Sequence, residues 1–228
     1  MTTQMTTRET TIRGVLFDMD GVLVDSEDLI AAAVQRMYRE WYGVEVPQSA
    51  FKPYIGAGED MFIGGPARDY GFKIDLPKAK ARAYEFYDEL AQKTNFVLPG
   101  AHDYPKACKE HGLKIALASA ADSVKVLINL RSLGLDPDFF DVVLTGSDMT
   151  RKKPFPDIYL LAAERIGVKP GDCLVVEDAV NGIKAGVAAG ARCLGITTSF
   201  DASVLFAAGA SWCAKDLAHA PLPWDLVG

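Results

Sequence analysis

Five short apolar runs, at 14–17, 115–118, 142–145, 173–176 and 193–196, each stop at a polar or Gly-bearing turn. That is the pattern of parallel strands buried on both faces. Between the later runs, residues 123–133, 157–166 and 181–189 carry apolar positions at helical spacing. Strand and helix in alternation predict an α/β fold, a Rossmann-like doubly wound parallel sheet. Ligands of such sheets bind in the crevice beyond the carboxyl ends of the strands.

The first two runs lie about 95 residues apart, whereas one crossover takes a dozen or more. An inserted domain accounts for the excess. Its pattern is helical: 27–42 is long and amphipathic, 58–70 forms a second stretch, and 78–93 is rich in Ala, Glu and Lys. Gly43, Pro47, Gly71, Pro77 and Pro99-Gly100 punctuate it. The predicted division is a core of 12–26 plus 96–228, a helical cap of 27–95, and a flexible Thr-rich tail of 1–11.

Composition narrows the classes. With 228 residues, 49% of them hydrophobic and 24% charged, the chain is expected to fold and to bury a sizeable core. A formal net charge of −6 without a basic run argues against nucleic acid as a partner. A phosphorylated substrate would therefore be drawn in by a local arrangement of metal, Lys and backbone N–H groups. Cys108, Cys173, Cys193 and Cys213 form no Cys-x-x-Cys pair, so they suggest neither zinc nor a redox couple. Buried free thiols in a reducing, cytoplasmic setting fit best. No stretch approaches ~18 uninterrupted apolar residues, and the polar start has no apolar export core, so no membrane association is expected. The pattern leaves the oligomeric state open.

Candidate chemistry concentrates at the strand ends. In Phe17-Asp18-Met19-Asp20-Gly21 two carboxylates follow directly on an apolar strand, on the same side by strand periodicity. Such a pair calls for a cation, a shared proton or both, although turn-forming Asp residues ahead of Gly21 would read the same way. Glu177 and Asp178 repeat the arrangement at the end of a second strand, where helix capping is the plainer account. Four carboxylates converging on one sheet edge favour Mg²⁺, a hard cation that takes oxygen ligands. Lys153, in Arg151-Lys152-Lys153-Pro154-Phe155-Pro156-Asp157, is placed to reach that edge, or else to sit in a solvated basic turn. Ser119, at the end of 115–118, is a cap residue or a hydrogen-bond donor to a phosphoryl oxygen.

Taken in order, these four segments resemble the signature motifs of the haloacid dehalogenase superfamily. The phrase Phe-Asp-Met-Asp-Gly-Val-Leu-Val-Asp-Ser at 17–26 is similar to its β-phosphoglucomutase-like and sugar-phosphate phosphatase branch. The resemblance implies Asp18 as nucleophile, Asp20 as general acid and base, Ser119 as a donor to the phosphoryl group and Lys153 as a charge clamp. It places the phosphate among Asp18, Met19, Asp20, Ser119, Ala120 and Lys153. It implies Mg²⁺ held by Asp18, Asp178 and the Asp20 carbonyl, with Glu177 acting through water. The site's electrostatics are expected to keep Asp18 ionised.

The expected function is Mg²⁺-dependent hydrolysis of a small phosphate monoester of a metabolite. The alternatives are a phosphosugar mutase and, on different grounds, a non-catalytic binding protein. Against the mutase, Glu59 stands where the mutases carry a cap Arg, and Asp122 and Ser123 where they carry Lys and Asn. If a cation is supplied instead, Lys52 or Arg68 is the expected source. Tyr54, Glu59, Asp60, Met61, Phe62 and Arg68 are the expected wall of the leaving-group pocket.

Overall fold

The computed structural model describes residues 11–55 and 58–226. The predicted tail lies outside the described residues apart from Thr11, as do Gly56 and Ala57 of the Glu59 alignment.

The strands β1 (Gly14–Phe17), β2 (Lys114–Ala118), β3 (Val142–Leu144), β4 (Cys173–Glu177), β5 (Arg192–Ile196) and β6 (Trp212–Ala214) form one parallel sheet. Their order is β3-β2-β1-β4-β5-β6. Side chains alternate between two buried layers, as strands covered on both faces must. Val15, Phe17, Ile115, Leu117, Leu174 and Val176 face one layer; Leu16, Ala116, Ala118, Cys173, Val175 and Cys193 face the other. The order diverges at β1, whose neighbours β2 and β4 both come later in the chain. A crevice therefore opens beyond the carboxyl end of β1, the topological switch point at which such sheets bind ligands.

Helices α1 (Glu27–Tyr42), α2 (Glu59–Asp69) and α3 (Leu76–Ala91) lie between β1 and β2 in the chain. Helix α1 packs along α3, and α2 joins them. Buried Tyr38, Phe51 and Phe62 knit the group together, Tyr38 meeting Phe72 edge-on at 4.9 Å between ring centroids. Pro77, read as a break, sits in the first turn of α3 behind the Asp75 cap, where its missing N–H has no helical partner to lose. The insert is attached by two neighbouring segments: Val24 and Val97 form an antiparallel bridge, flanked by Asp25 N–H to Phe96 O at 2.8 Å and Leu98 N–H to Leu23 O at 3.0 Å.

Helices α4 (Asp103–Glu110) and α5 (Ser123–Leu133) cover one face of the sheet; α6 (Asp157–Arg165), α7 (Val180–Ala188) and α8 (Ala202–Ala208) cover the other. Helices α4 and α8 and strand β6 carry no clear sequence signal, being short, with Pro105 inside the first turn of α4. Helix α5 faces the insert as well as the sheet. Tyr84 hydroxyl donates to Asp122 at 2.8 Å and Tyr87 hydroxyl to Asn129 at 2.5 Å, which seats α3 upon it. All four cysteines are free; Cys108, Cys173 and Cys193 are buried and Cys213 is half-buried. Among the described residues no helix is long and apolar enough to cross a membrane.

Candidate active site

Three strand ends and one loop converge on the crevice. Asp18 extends β1, its N–H bonded to Val176 O at 2.9 Å, and Ser119 extends β2, its N–H bonded to Leu144 O at 3.0 Å. Continuing the ladder one residue past each strand fixes where these side chains emerge. Glu177 ends β4 and Asp178 follows it. Lys153 arrives from the loop between β3 and α6.

The carboxylates crowd. One oxygen from each of Asp18, Glu177 and Asp178 lies within 4.8 Å of the others, and all three residues are buried. Two glycines make the crowding possible. A Cβ on Gly21, whose φ is +77°, would stand 2.0 Å from Asp178 Oδ2, and one on Gly182 would stand 1.8 Å from Glu177 Oε1. Lys153 Nζ lies 2.5 Å from Asp18 Oδ1 and 2.7 Å from Glu177 Oε1. Tyr159 hydroxyl adds a bond to Glu177 Oε1 at 2.9 Å. Glu177 Oε2 accepts the N–H groups of Asp178 and Ala179, both at 3.0 Å. Both oxygens of Glu177 are thus met by protein donors, and the Ser199 hydroxyl donates to Asp178 Oδ2.

Three buried carboxylates share one ammonium, and the titration behaviour follows. Burial pushes Asp18 up to about 7, against the pull of Lys153 and with the push of Glu177 and Asp20. Burial likewise raises Asp178 well above the carboxylate range, with Glu177 and Asp18 adding to it. Burial opposes the charge of Lys153, but Asp18 and Glu177 outweigh it and hold the ammonium above its ordinary value. Lys153 alone does not offset burial, so the ionised form of Asp18 depends on a further positive charge at the site. The donor set is oxygen-rich, buried and short of positive charge, which fits a hard divalent cation such as Mg²⁺.

Asp20 points away from this cluster. Its Oδ1 accepts the Ser26 hydroxyl and lies 3.2 Å from Lys125 Nζ. Lys125 also lies 3.4 Å from Glu59 Oε1, the first residue of α2. Sequence reasoning missed Lys125. It stands within an apolar helix, and only the apposition of the insert buries it, at 5% exposure. Glu59 is correspondingly buried and paired, and Asp122 is engaged by Tyr84 and by Lys80 at 2.6 Å. The carboxylates expected to repel a second phosphate are thus matched by lysines.

A cavity of about 230 Å³ adjoins both clusters. Asp18, Asp20, Ala120, Lys153, Glu177 and Asp178 line it, together with Lys125 and Lys152. Met19 and Ser119 do not: the Met19 side chain is fully buried, and Ser119 Oγ accepts the Ala121 N–H at 3.1 Å. Of the expected pocket wall, Tyr54, Glu59 and Phe62 line the cavity and are joined by Glu27, Ile30 and Ile55, while Asp60, Met61 and Arg68 lie outside. Lys52 is not at the cavity either.

A doubly wound sheet whose switch point carries paired acids and a buried lysine presents charged groups to a ligand beyond the strand ends. The chain belongs to the haloacid dehalogenase-like hydrolases, whose family model matches residues 12–190. It is 40% identical over 95% of its length to Protein SUPPRESSOR OF QUENCHING 1, chloroplastic, of Arabidopsis thaliana, of which it spans only 21%. It is 33% identical to the Phosphorylated carbohydrates phosphatase of Thermotoga maritima, over 87% of this chain and 92% of that one. Among solved structures, β-phosphoglucomutase from Clostridium difficile shares the fold at 23% identity, with a TM-score of 0.75 over 91% of this chain and 92% of that one.

Proposed function

We propose that the protein is a Mg²⁺-dependent phosphatase that hydrolyses a small phosphate monoester through an aspartyl phosphate on Asp18. The observation that carries this reading is the buried trio Asp18, Glu177 and Asp178 sharing the single ammonium of Lys153. Asp18 and Asp178, with the Asp20 carbonyl, would hold the cation and Glu177 would act on it through water; the cation would supply positive charge to a phosphoryl group.

The chain's own residues act in two stages. Asp18 attacks phosphorus as the bond to the leaving oxygen breaks, and Asp20 gives that oxygen its proton. Water then attacks the phosphoryl group, Asp20 takes the proton back, and the bond from Asp18 to phosphorus breaks to release inorganic phosphate. Lys153 stays protonated throughout and neutralises charge on the transferring group. Ser119 and the N–H groups after β1 and β2 add hydrogen bonds, Ser119 donating its hydroxyl proton to the phosphate while its Oγ still accepts from the Ala121 N–H. The helical insert serves as a cap that excludes water while the ester bond breaks. The modest cavity suits a sugar phosphate or smaller metabolite.

Release of inorganic phosphate from a panel of sugar phosphates, phosphoglycolate and nucleoside monophosphates, with Mg²⁺ and with EDTA, tests the reading. Turnover of at least one ester, lost with EDTA, is expected; a panel without a single accepted ester would sink it. A mutase gains one argument, the cations Lys125 and Lys152 at the cavity, which can face a second phosphate. With β-glucose 1-phosphate, efficient formation of glucose 6-phosphate without phosphate release would favour that alternative.

A further inference from the structure

Lys125 is the unexplained charge of the molecule. It is 5% exposed, belongs to α5 of the sheet-bearing part, and spans two carboxylates from different parts: Asp20, just past β1, and Glu59, at the start of α2 in the insert. An ammonium so buried is tolerated only with partners, so its two contacts hold one another in place. The donors on Asp20 are also one-sided. Ser26 and Lys125 both meet Oδ1, and among the described residues no hydrogen bond reaches Oδ2. Asp20 lines the cavity, so the oxygen left without a donor is the one available to a leaving group.

We infer that Lys125 is a positioning residue that fixes the rotation of the Asp20 carboxyl, presenting Oδ2 to the departing oxygen, and does so only while Glu59 brings the insert down onto it. The inference rests on the phosphatase reading. Lys125 touches neither phosphorus nor the attacking group. Its loss should damage the proton-donating half of the reaction and spare the attack by Asp18. Glu59 couples that positioning to the seating of the insert: a substrate enclosed by Tyr54, Glu59 and Phe62 meets a correctly turned Asp20.

Leaving-group dependence separates this role from a structural one. p-Nitrophenolate departs without a proton, whereas an alkoxide needs one. Lys125→Met should lower kcat for an alkyl phosphate such as glycerol 2-phosphate about tenfold or more beyond its effect on p-nitrophenyl phosphate, and Lys125→Arg should recover part of the difference. Glu59→Gln should raise KM for both esters and lower kcat less than Lys125→Met does. Circular dichroism and thermal melts check folding, and Lys125→Gln replaces the Met variant if that one does not fold. Equal losses on the two esters would overturn the positioning role and leave Lys125 a structural tie. Wild-type protein inactive with Mg²⁺ on both esters and on the whole panel above would instead overturn the phosphatase reading, and this inference with it.

Discussion

Asp18 and Asp20 are two residues apart, yet they belong to carboxylate clusters of opposite design. Around Asp18, three buried acids share Lys153 and stay short of positive charge. Along the seam with the insert, each lysine spans one acid from either side: Lys125 takes Asp20 and Glu59, and Lys80 takes Asp122 and Asp60. The first cluster holds three acids to one ammonium, and the second two acids to each. Residue type does not distinguish them; the count of cations within reach does.

The sharpest way to break the contrast is to remove a charge from the first cluster. Asp18→Asn should lower kcat by more than ~10⁴-fold while the fold, followed by circular dichroism, is kept. Residual turnover near wild type would place the nucleophile elsewhere.

Metal dependence comes next. Burial puts the Asp18 carboxyl at about 7 in the fold, against 3.8 for a free side chain, so the metal-free fold keeps a proton there that the unfolded chain gives up. Metal-free protein should lose stability as pH rises through about 7, since ionisation is then disfavoured only in the fold. Mg²⁺ competes with that proton, so the rise in Tm on adding it should grow from pH 5.5 to pH 8. A rise that is flat with pH would remove Asp18 from the ligand set.

Gly182→Ala is expected to follow, because its Cβ would stand 1.8 Å from Glu177 Oε1. It should cost about 1–3 kcal/mol in denaturant unfolding and weaken Mg²⁺ retention. The smallest effect belongs to the seam: Lys80, one-fifth exposed, should cost at most about 1 kcal/mol on change to Met, with kcat little altered. A loss at Lys80 as large as at Gly182 would erase the distinction between the clusters.

The same contrast explains what the sequence discloses. Asp18, Glu177 and Asp178 were legible because each follows an apolar run that marks where the sheet edge lies, and Lys153 because two prolines frame its basic loop. Lys125 was not. In Ser123-Val124-Lys125-Val126 it resembles any solvent-facing helical lysine, and its burial depends on α2 and α3, which are remote in sequence. A faint signal existed in Asp122, Lys125 and Asn129, polar positions at spacings of three and four on one side of α5. Strand β6 was illegible for another reason: three half-buried residues at a sheet edge carry little periodicity.

The bridge between Val24 and Val97 bears on how the chain finds its fold. Strands β1 and β2 pair in register, Val15 beside Ile115, across the whole length of the insert. Searching for that partner through a long open loop would be slow, because the entropy of closing a loop grows with its length. Once α1 and α3 have packed together, their far ends deliver Val24 and Val97 side by side, and the remaining search is confined to residues 18–23 and 98–113. On this account the helical insert would act as a splint during folding. Loosening the contact of α1 with α3 should slow refolding in stopped-flow experiments more than it speeds unfolding.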